Sequence, residues 1–254
     1  MLTCFSTLAC PDFSWQDIYS MAKDFNFDGI EIRGLGNDIF SVKAPPFKDS
    51  ELPKTIAKLK QLKLEIPCLS SGEPVNDVNT RQQAEDEIIA YCELASKIGA
   101  RYIRVLGDRN AAPDKEVDDE VVIETMKQLV PVAEKYNVTL LLETNGAYAD
   151  TKRLKKVIDA IGSHKVAALW DMHHPYRFFG ETPKQTVDTL GEYIKHVHVK
   201  DSVMEGDKVT YKLMGTGDMP LKETFEALEA INYSGTSHLS GFTDGPRIFL
   251  TRTS

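Results

Sequence analysis

Short apolar runs alternate along this chain with amphipathic segments about 12 to 20 residues long, the pattern of repeated strand and helix units. LTCFS, GIEIR, LEIPCLS, RYIRVLG, VTLLLE, VAALWD and HVHVKD predict strands. Between them, SWQDIYSMAKDF, ELPKTIAKLKQL, TRQQAEDEIIAYCELASKIG, DDEVVIETMKQLVPVAEKY, DTKRLKKVIDAIG and TPKQTVDTLGEYI carry apolar residues at helical spacing. A further helix, PLKETFEALEAI, opens on Pro220 and leads toward an eighth strand near residue 236. That count predicts the fold class α/β, a single (β/α)8 TIM barrel spanning residues 1–254 as one domain. A doubly wound open sheet is disfavoured, because no GxGxxG follows the first strand.

The 38 acidic residues outnumber the 30 basic ones, for a net charge of −8. Nucleic acid is therefore not an expected partner, since neutralising phosphates needs concentrated Lys and Arg. No apolar run approaches the roughly 20 residues of a membrane span, so no membrane partner is expected. The start MLTCFSTLACPDF lacks the basic region and long apolar stretch of a signal peptide, and a cytoplasmic location is the expectation. Cys4, Cys10, Cys68 and Cys92 show no CxxC spacing, which points to core packing.

Polar residues gather where the later strands end. LLLETNG closes the fifth strand with Glu143, ALWDMHHP closes the sixth with Asp171, and HVHVKD supplies His196 and His198 in the seventh. Side chains alternate at period two, so inward Glu143 and Asp171 send Leu142 and Trp170 toward the helices, and inward His198 sends Val197 and Val199 outward. Glu, Asp and His at one rim suit a divalent ion, Mn²⁺, Co²⁺, Mg²⁺ or Zn²⁺. Each has a plainer reading: Glu143 accepting backbone N–H groups, Asp171 capping MHHPYR, His198 hydrogen-bonded in the core. His174 either reaches the mouth and hydrogen-bonds a substrate oxygen or is a loop residue before Pro175. His174 is taken as a catalytic and substrate-binding candidate, with Arg177 a substrate-binding candidate beside it. His173 and His196 are expected to pack or to support their neighbours. GIEIRG and RYIRVLG place Glu31, Arg33 and Arg104 on inward parity, and a structural Glu31–Arg104 ion pair is expected. GTGDMP is either a lid over the mouth or a turn before the next helix.

In this order and at these spacings, GIEIRG, LLETNG, LWDMHHP, HVHVKD and GTGDMPL resemble the xylose-isomerase-like TIM-barrel superfamily of sugar phosphate isomerases and epimerases. The resemblance runs from the first strand to about Gly235. It implies one divalent metal ion held by Glu143, Asp171 and His198, with a glutamate on the eighth strand completing the site. It also implies a sugar or sugar phosphate substrate and proton transfer beside a carbonyl through an enediolate, with Glu143 as one base and the eighth-strand glutamate as the other. An inosose-dehydratase-like lyase could use the same three ligands, and a noncatalytic carbohydrate-binding barrel is a further alternative. A hydrolase like endonuclease IV is disfavoured, because EIPCLSSG and RYIRVLG lack the histidines of a trinuclear site.

Members of that superfamily close on a motif resembling YSGYVSLEW. Here YSG stands at 233–235, and the chain continues TSHLSGFTDGPRIFLTRTS, which puts Ser240 at the glutamate position and carries no eighth-helix pattern. The eighth unit is thus expected to be atypical or truncated, with 236–254 an aberrant tail. Loss of a single nucleotide after the Gly235 codon would account for both features: ACG TCT CAC TTG AGT GGT is one codon set compatible with residues 236–241, and with a T restored in front it reads Tyr-Val-Ser-Leu-Glu-Trp. Without a closing helix, apolar surface on the first and seventh helices is expected to be uncovered, which favours a homodimer.

Overall fold

The structure is a computed structural model that describes residues 2–36, 38–113 and 116–239, with 236–239 described as backbone. Its elements run β1 (Leu2–Ser6), α1 (Trp15–Asp24), β2 (Gly29–Glu31), α2 (Leu52–Leu62), β3 (Cys68–Pro74), α3 (Arg81–Ile98), β4 (Tyr102–Leu106) and α4 (Asp119–Tyr136). They continue β5 (Thr139–Glu143), α5 (Thr151–Ile161), β6 (Val166–Asp171), α6 (His173–Phe179), α7 (Pro183–Leu190), β7 (Ile194–Val199), β8 (Asp201–Glu205), β9 (Lys208–Lys212), α8 (Leu221–Ala230) and β10 (Thr236–Leu239). Local chemistry explains many of the boundaries. Ser14 and Asp17 form a capping box at the start of α1, and Thr182 and Gln185 form another at α7. Gly99 and Gly162 take the left-handed conformation that ends α3 and α5.

The parallel strands lie in the order β2, β1, β10, β7, β6, β5, β4, β3. Parallel bridges Gly29 to Glu65 and Ile32 to Leu69 join the two edges, so the sheet closes into the expected α/β barrel. Residue 29 must be glycine for this closure, because a Cβ there would sit 2.8 Å from the Glu65 carbonyl oxygen. The third strand begins at Cys68, later than its apolar run suggests, since Pro67 has no N–H to give the ladder. The eighth barrel strand is β10, paired to β1 through Leu2–Thr236 and to β7 through His238–His198. Ser240 and the rest of the tail lie outside the described residues.

Two apolar layers fill the molecule. Leu140, Leu142, Ala168, Trp170, Val197 and Val199 join the helices in the main core, whereas Leu141, Ala167 and Leu169 form a separate plug inside the barrel. Each fully buried aliphatic side chain stabilises the fold by about 1.5–3 kcal/mol. All four cysteines are buried and free, in line with a packing role, and burial pushes the Cys10 and Cys92 thiols up to about 12. No helix among the described residues is long and apolar enough to cross a membrane.

Candidate metal centre

Period-two alternation brings Glu143 on β5, Asp171 on β6 and His198 on β7 into the barrel mouth, all buried, with donor atoms within 4.8 Å of one another. A register shift makes this possible on β7. Ile194 pairs with Ala168 and His196 with the next residue, Leu169, so Lys195 is the extra residue of a bulge. Ile194 therefore packs among the helices while His196 and His198 turn inward. Without the bulge, a one-residue slip would send both histidines to the opposite face.

The expected Glu31–Arg104 ion pair does not form. Arg104 instead donates to Glu143, with Nε and Nη2 both 2.6 Å from Oε2, and gives Nη1 to the Ser71 carbonyl at 2.9 Å. Register explains the choice: Arg104 lies beside Leu141 on β5, one inward step below Glu143, whereas Glu31 sits on β2 with β3 in between. Glu31 reaches across the barrel. It accepts the Ser70 hydroxyl at 2.6 Å and faces His196 Nε2 at 2.8 Å and His198 Nε2 at 3.0 Å.

His198 consequently stands between two carboxylates, with Nδ1 3.2 Å from Glu143 Oε1. Burial opposes its charge, but Glu31 and then Glu143 outweigh burial and raise it to about 9. Burial likewise opposes ionisation of Glu143, and Arg104 and His198 overcome it, holding the carboxyl well below the usual range. Glu31, His196 and His198 form a second group with metal-like spacing. It offers one carboxylate against the two of Glu143 and Asp171, so the first group is the better cation site.

Asp171 combines two of its expected roles. Oδ1 accepts the His173 N–H at 3.0 Å at the start of α6, while Oδ2 accepts no hydrogen bond of good geometry and lies 2.5 Å from Lys200 Nζ. Burial raises the Asp171 carboxyl, but His174 and Lys200 bring it down to about 2. His174 reaches the mouth: Nδ1 is 3.0 Å from the Thr144 carbonyl, which can only accept, and Nε2 points toward Asp171 Oδ2 at 3.9 Å. Burial lowers its basicity, so it is neutral with an unprotonated Nε2.

Arg177 sits at the edge of this group. Its Nε donates to Ser202 Oγ at 2.9 Å and its Nη2 to the Ser202 carbonyl at 2.7 Å, with Asp218 in close contact. Ser202 Oγ lies 3.0 Å from His173 Nε2, and burial depresses His173 to about 3. The hairpin of β8 and β9 is read from the sequence as part of a polar loop: KVTYK alternates polar and apolar residues as a strand does, but its partner DSVME does not. Asp201 ties down the loop after it, accepting the N–H groups of Gly215 at 2.8 Å and Gly217 at 2.9 Å. GTGDMP is therefore held at the mouth by a buried carboxylate.

Two carboxylates and an imidazole suit a hard or borderline divalent ion. Asp171 Oδ2, ion-paired to Lys200, keeps a second lone pair for such an ion, and Glu143 Oε1 faces His198 on the side away from Arg104. Lys200 is the residue that sequence reasoning passed over. Its signal was present, since His196, His198 and Lys200 share one parity in HVHVKD.

The family model described as xylose isomerase-like TIM barrel matches residues 20–253. Among solved structures, the IolI protein with a binding zinc atom has 17% identity and a TM-score of 0.78, covering 96% of this chain and 90% of that one. A D-tagatose 3-epimerase-like protein has 20% identity and a TM-score of 0.75, covering 94% and 90%. The probable 3-DHS dehydratase AsbF from Bacillus anthracis has 16% identity and a TM-score of 0.76, covering 96% and 94%. At these identities the likeness is one of fold. No curated protein matches the chain significantly.

Proposed function

The chain belongs to the xylose isomerase-like TIM-barrel family, and from that premise we propose that it is a divalent-metal-dependent isomerase or epimerase of a sugar or sugar phosphate. The observation that carries the reading is the convergence of Glu143, Asp171 and His198 donor atoms within 4.8 Å at the C-terminal ends of adjacent strands. These residues would hold the ion, which when bound polarises the substrate carbonyl as a Lewis acid.

The chain's own residues move the proton. Glu143, kept ionised by Arg104, takes the proton from the carbon beside the carbonyl and, after exchange with solvent, gives one to the former carbonyl carbon, while the hydroxyl proton passes through solvent to the former carbonyl oxygen. Lys200 Nζ places positive charge beside the oxygen that becomes anionic. His174 Nε2 accepts a substrate hydroxyl, its tautomer set by Thr144. Glu31 accepts a hydrogen bond from His198 Nε2–H and so leaves Nδ1 on the side of Glu143 and Asp171. One base suffices for proton transfer on a single face, as in aldose–ketose isomerisation. Epimerisation needs a second acid or base on the opposite face, where the family resemblance calls for a glutamate and this chain has Ser240.

The test is a panel of aldoses, ketoses, their phosphates and inososes, incubated in D₂O with protein loaded with Mn²⁺, Co²⁺, Mg²⁺ or Zn²⁺. The expected result is an isomerised sugar carrying solvent deuterium, lost with EDTA and recovered on adding metal. Loss of water from an inosose would replace this reading with a lyase, and binding without turnover would replace it with a carbohydrate-binding barrel.

Metal binding should also be coupled to a proton. His198 sits at about 9 in the metal-free protein, so at neutral pH a proton occupies the Nδ1 that a metal requires. Because the protonated form predominates below that value, apparent affinity should fall about tenfold for each pH unit lowered and level off above it. Titration calorimetry in two buffers of different ionisation enthalpy should detect proton release at neutral pH. Equal heats in the two buffers would contradict the coupling.

A further inference from the structure

Arg33 stands at the mouth end of the barrel wall: Ile32, fully buried in the helix-side core, makes the last bridge, to Leu69, and Arg33 is the bend residue that follows it. Its backbone is held firmly. The Arg33 N–H donates to Thr7 Oγ1 at 2.8 Å, that hydroxyl donates to the Gly34 carbonyl at 2.6 Å, and the Gly34 N–H donates to Ser41 Oγ at 2.9 Å. The side chain is only partly buried, and it makes no hydrogen bond or ion pair among the described residues. The other cations of the mouth are committed: Arg104 to Glu143, Lys200 to Asp171, and Arg177 to Ser202 and Asp218. Burial and then the Arg104 charge pull the Arg33 basicity down, while Glu143, Glu31 and Asp171 oppose them, as they would for a guanidinium facing this cluster.

The charge of the mouth gives this arrangement a direction. With His198 neutral as a metal ligand, Arg33, Arg104 and Lys200 balance Glu31, Glu143 and Asp171, so a divalent ion would leave the mouth positive. An uncommitted guanidinium at a positive rim has a fork of donors that matches a carboxylate or a phosphate. We infer that Arg33 is the docking point for an anionic group, carboxylate or phosphate, on the substrate of this barrel. The sugar framework of that substrate rests on the proposed isomerase reading, whereas anion binding is measurable without turnover.

The experiment is titration calorimetry on the metal-loaded protein with D-glucose, D-glucuronate and the terminal phosphate ester of D-glucose. These probes differ in whether the terminal carbon carries a hydroxyl, a carboxylate or a phosphate. At least one anionic probe should bind about tenfold or more tightly than D-glucose, and the stronger of the two identifies the natural group. Arg33→Gln should abolish that preference while leaving D-glucose binding and metal affinity unchanged, and Arg33→Lys should restore part of it for a phosphate. No anion preference in the unaltered protein, or a preference that survives in Arg33→Gln, would overturn the inference. Parallel loss of metal binding in Arg33→Gln would also overturn it, by showing that Arg33 supports the mouth instead. Anion binding without isomerisation would leave Arg33 in its role and remove the isomerase reading alone.

Discussion

Glu143→Gln is expected to lower turnover about a thousandfold or more, because the amide is a poor metal ligand and cannot accept the carbon-bound proton. The same change should destabilise the barrel by about 3–5 kcal/mol, since it leaves the Arg104 guanidinium buried without its counter-charge. The two side chains are 3% and 2% exposed, so water cannot replace the lost partner. These effects can be separated. In Glu143→Gln/Arg104→Met no buried charge is stranded, and much of the stability should return in urea denaturation while turnover stays lost. If Glu143→Gln keeps turnover within tenfold of the unaltered chain under saturating metal, Glu143 is not the base. If the double variant regains activity with stability, the loss belongs to folding instead.

Exchanging residues 236–241 for Tyr-Val-Ser-Leu-Glu-Trp is expected to tighten metal binding by at least about tenfold, the low end of what a supporting carboxylate is worth at a metal site. It should also bring in epimerisation, since a second acid or base typically contributes about a hundredfold or more. The described backbone is compatible with this repair. Ladder hydrogen bonds carry no side-chain identity, so β10 pairs with β1 and β7 although its residues depart from the family motif. Calorimetry with the metal, and product analysis in D₂O, compare the two chains. Unchanged affinity and an unchanged product would remove the missing carboxylate as the explanation. At the DNA level, a Leu239 codon that does not end in G excludes the frameshift itself.

Much of the architecture was legible because each βα unit is locally determined. VAALWD became β6 at the predicted residues, and SWQDIYSMAKDF became α1 inside its Ser14 cap. Departures came where a local pattern met a specific obstacle. Pro67 delayed β3, and β8 and β9 pair with each other outside the barrel sheet, where neither face needs a regular apolar stripe. The candidate metal ligands are legible for the same reason as the strands, each being an inward position near the end of its run. Arg177, a substrate-binding candidate from the sequence, uses two of its nitrogens to hold Ser202 and Asp218 at the mouth.

The sequence by itself determined which side chains face the barrel axis, because alternation along a strand is set by backbone geometry within a few residues. Glu143 was separated from Leu142, Asp171 from Trp170 and His198 from Val197 before any tertiary contact was considered. Tertiary structure decided which inward groups meet. Arg104 takes Glu143 because the β4–β5 register places them one step apart, and Glu31 takes His196 and His198 because closing the barrel brings β2 across from β7. Partner choice among buried charges depends on register and closure, which involve residues far apart in the chain, and among the described residues those choices leave the Arg33 side chain without a hydrogen bond or ion pair.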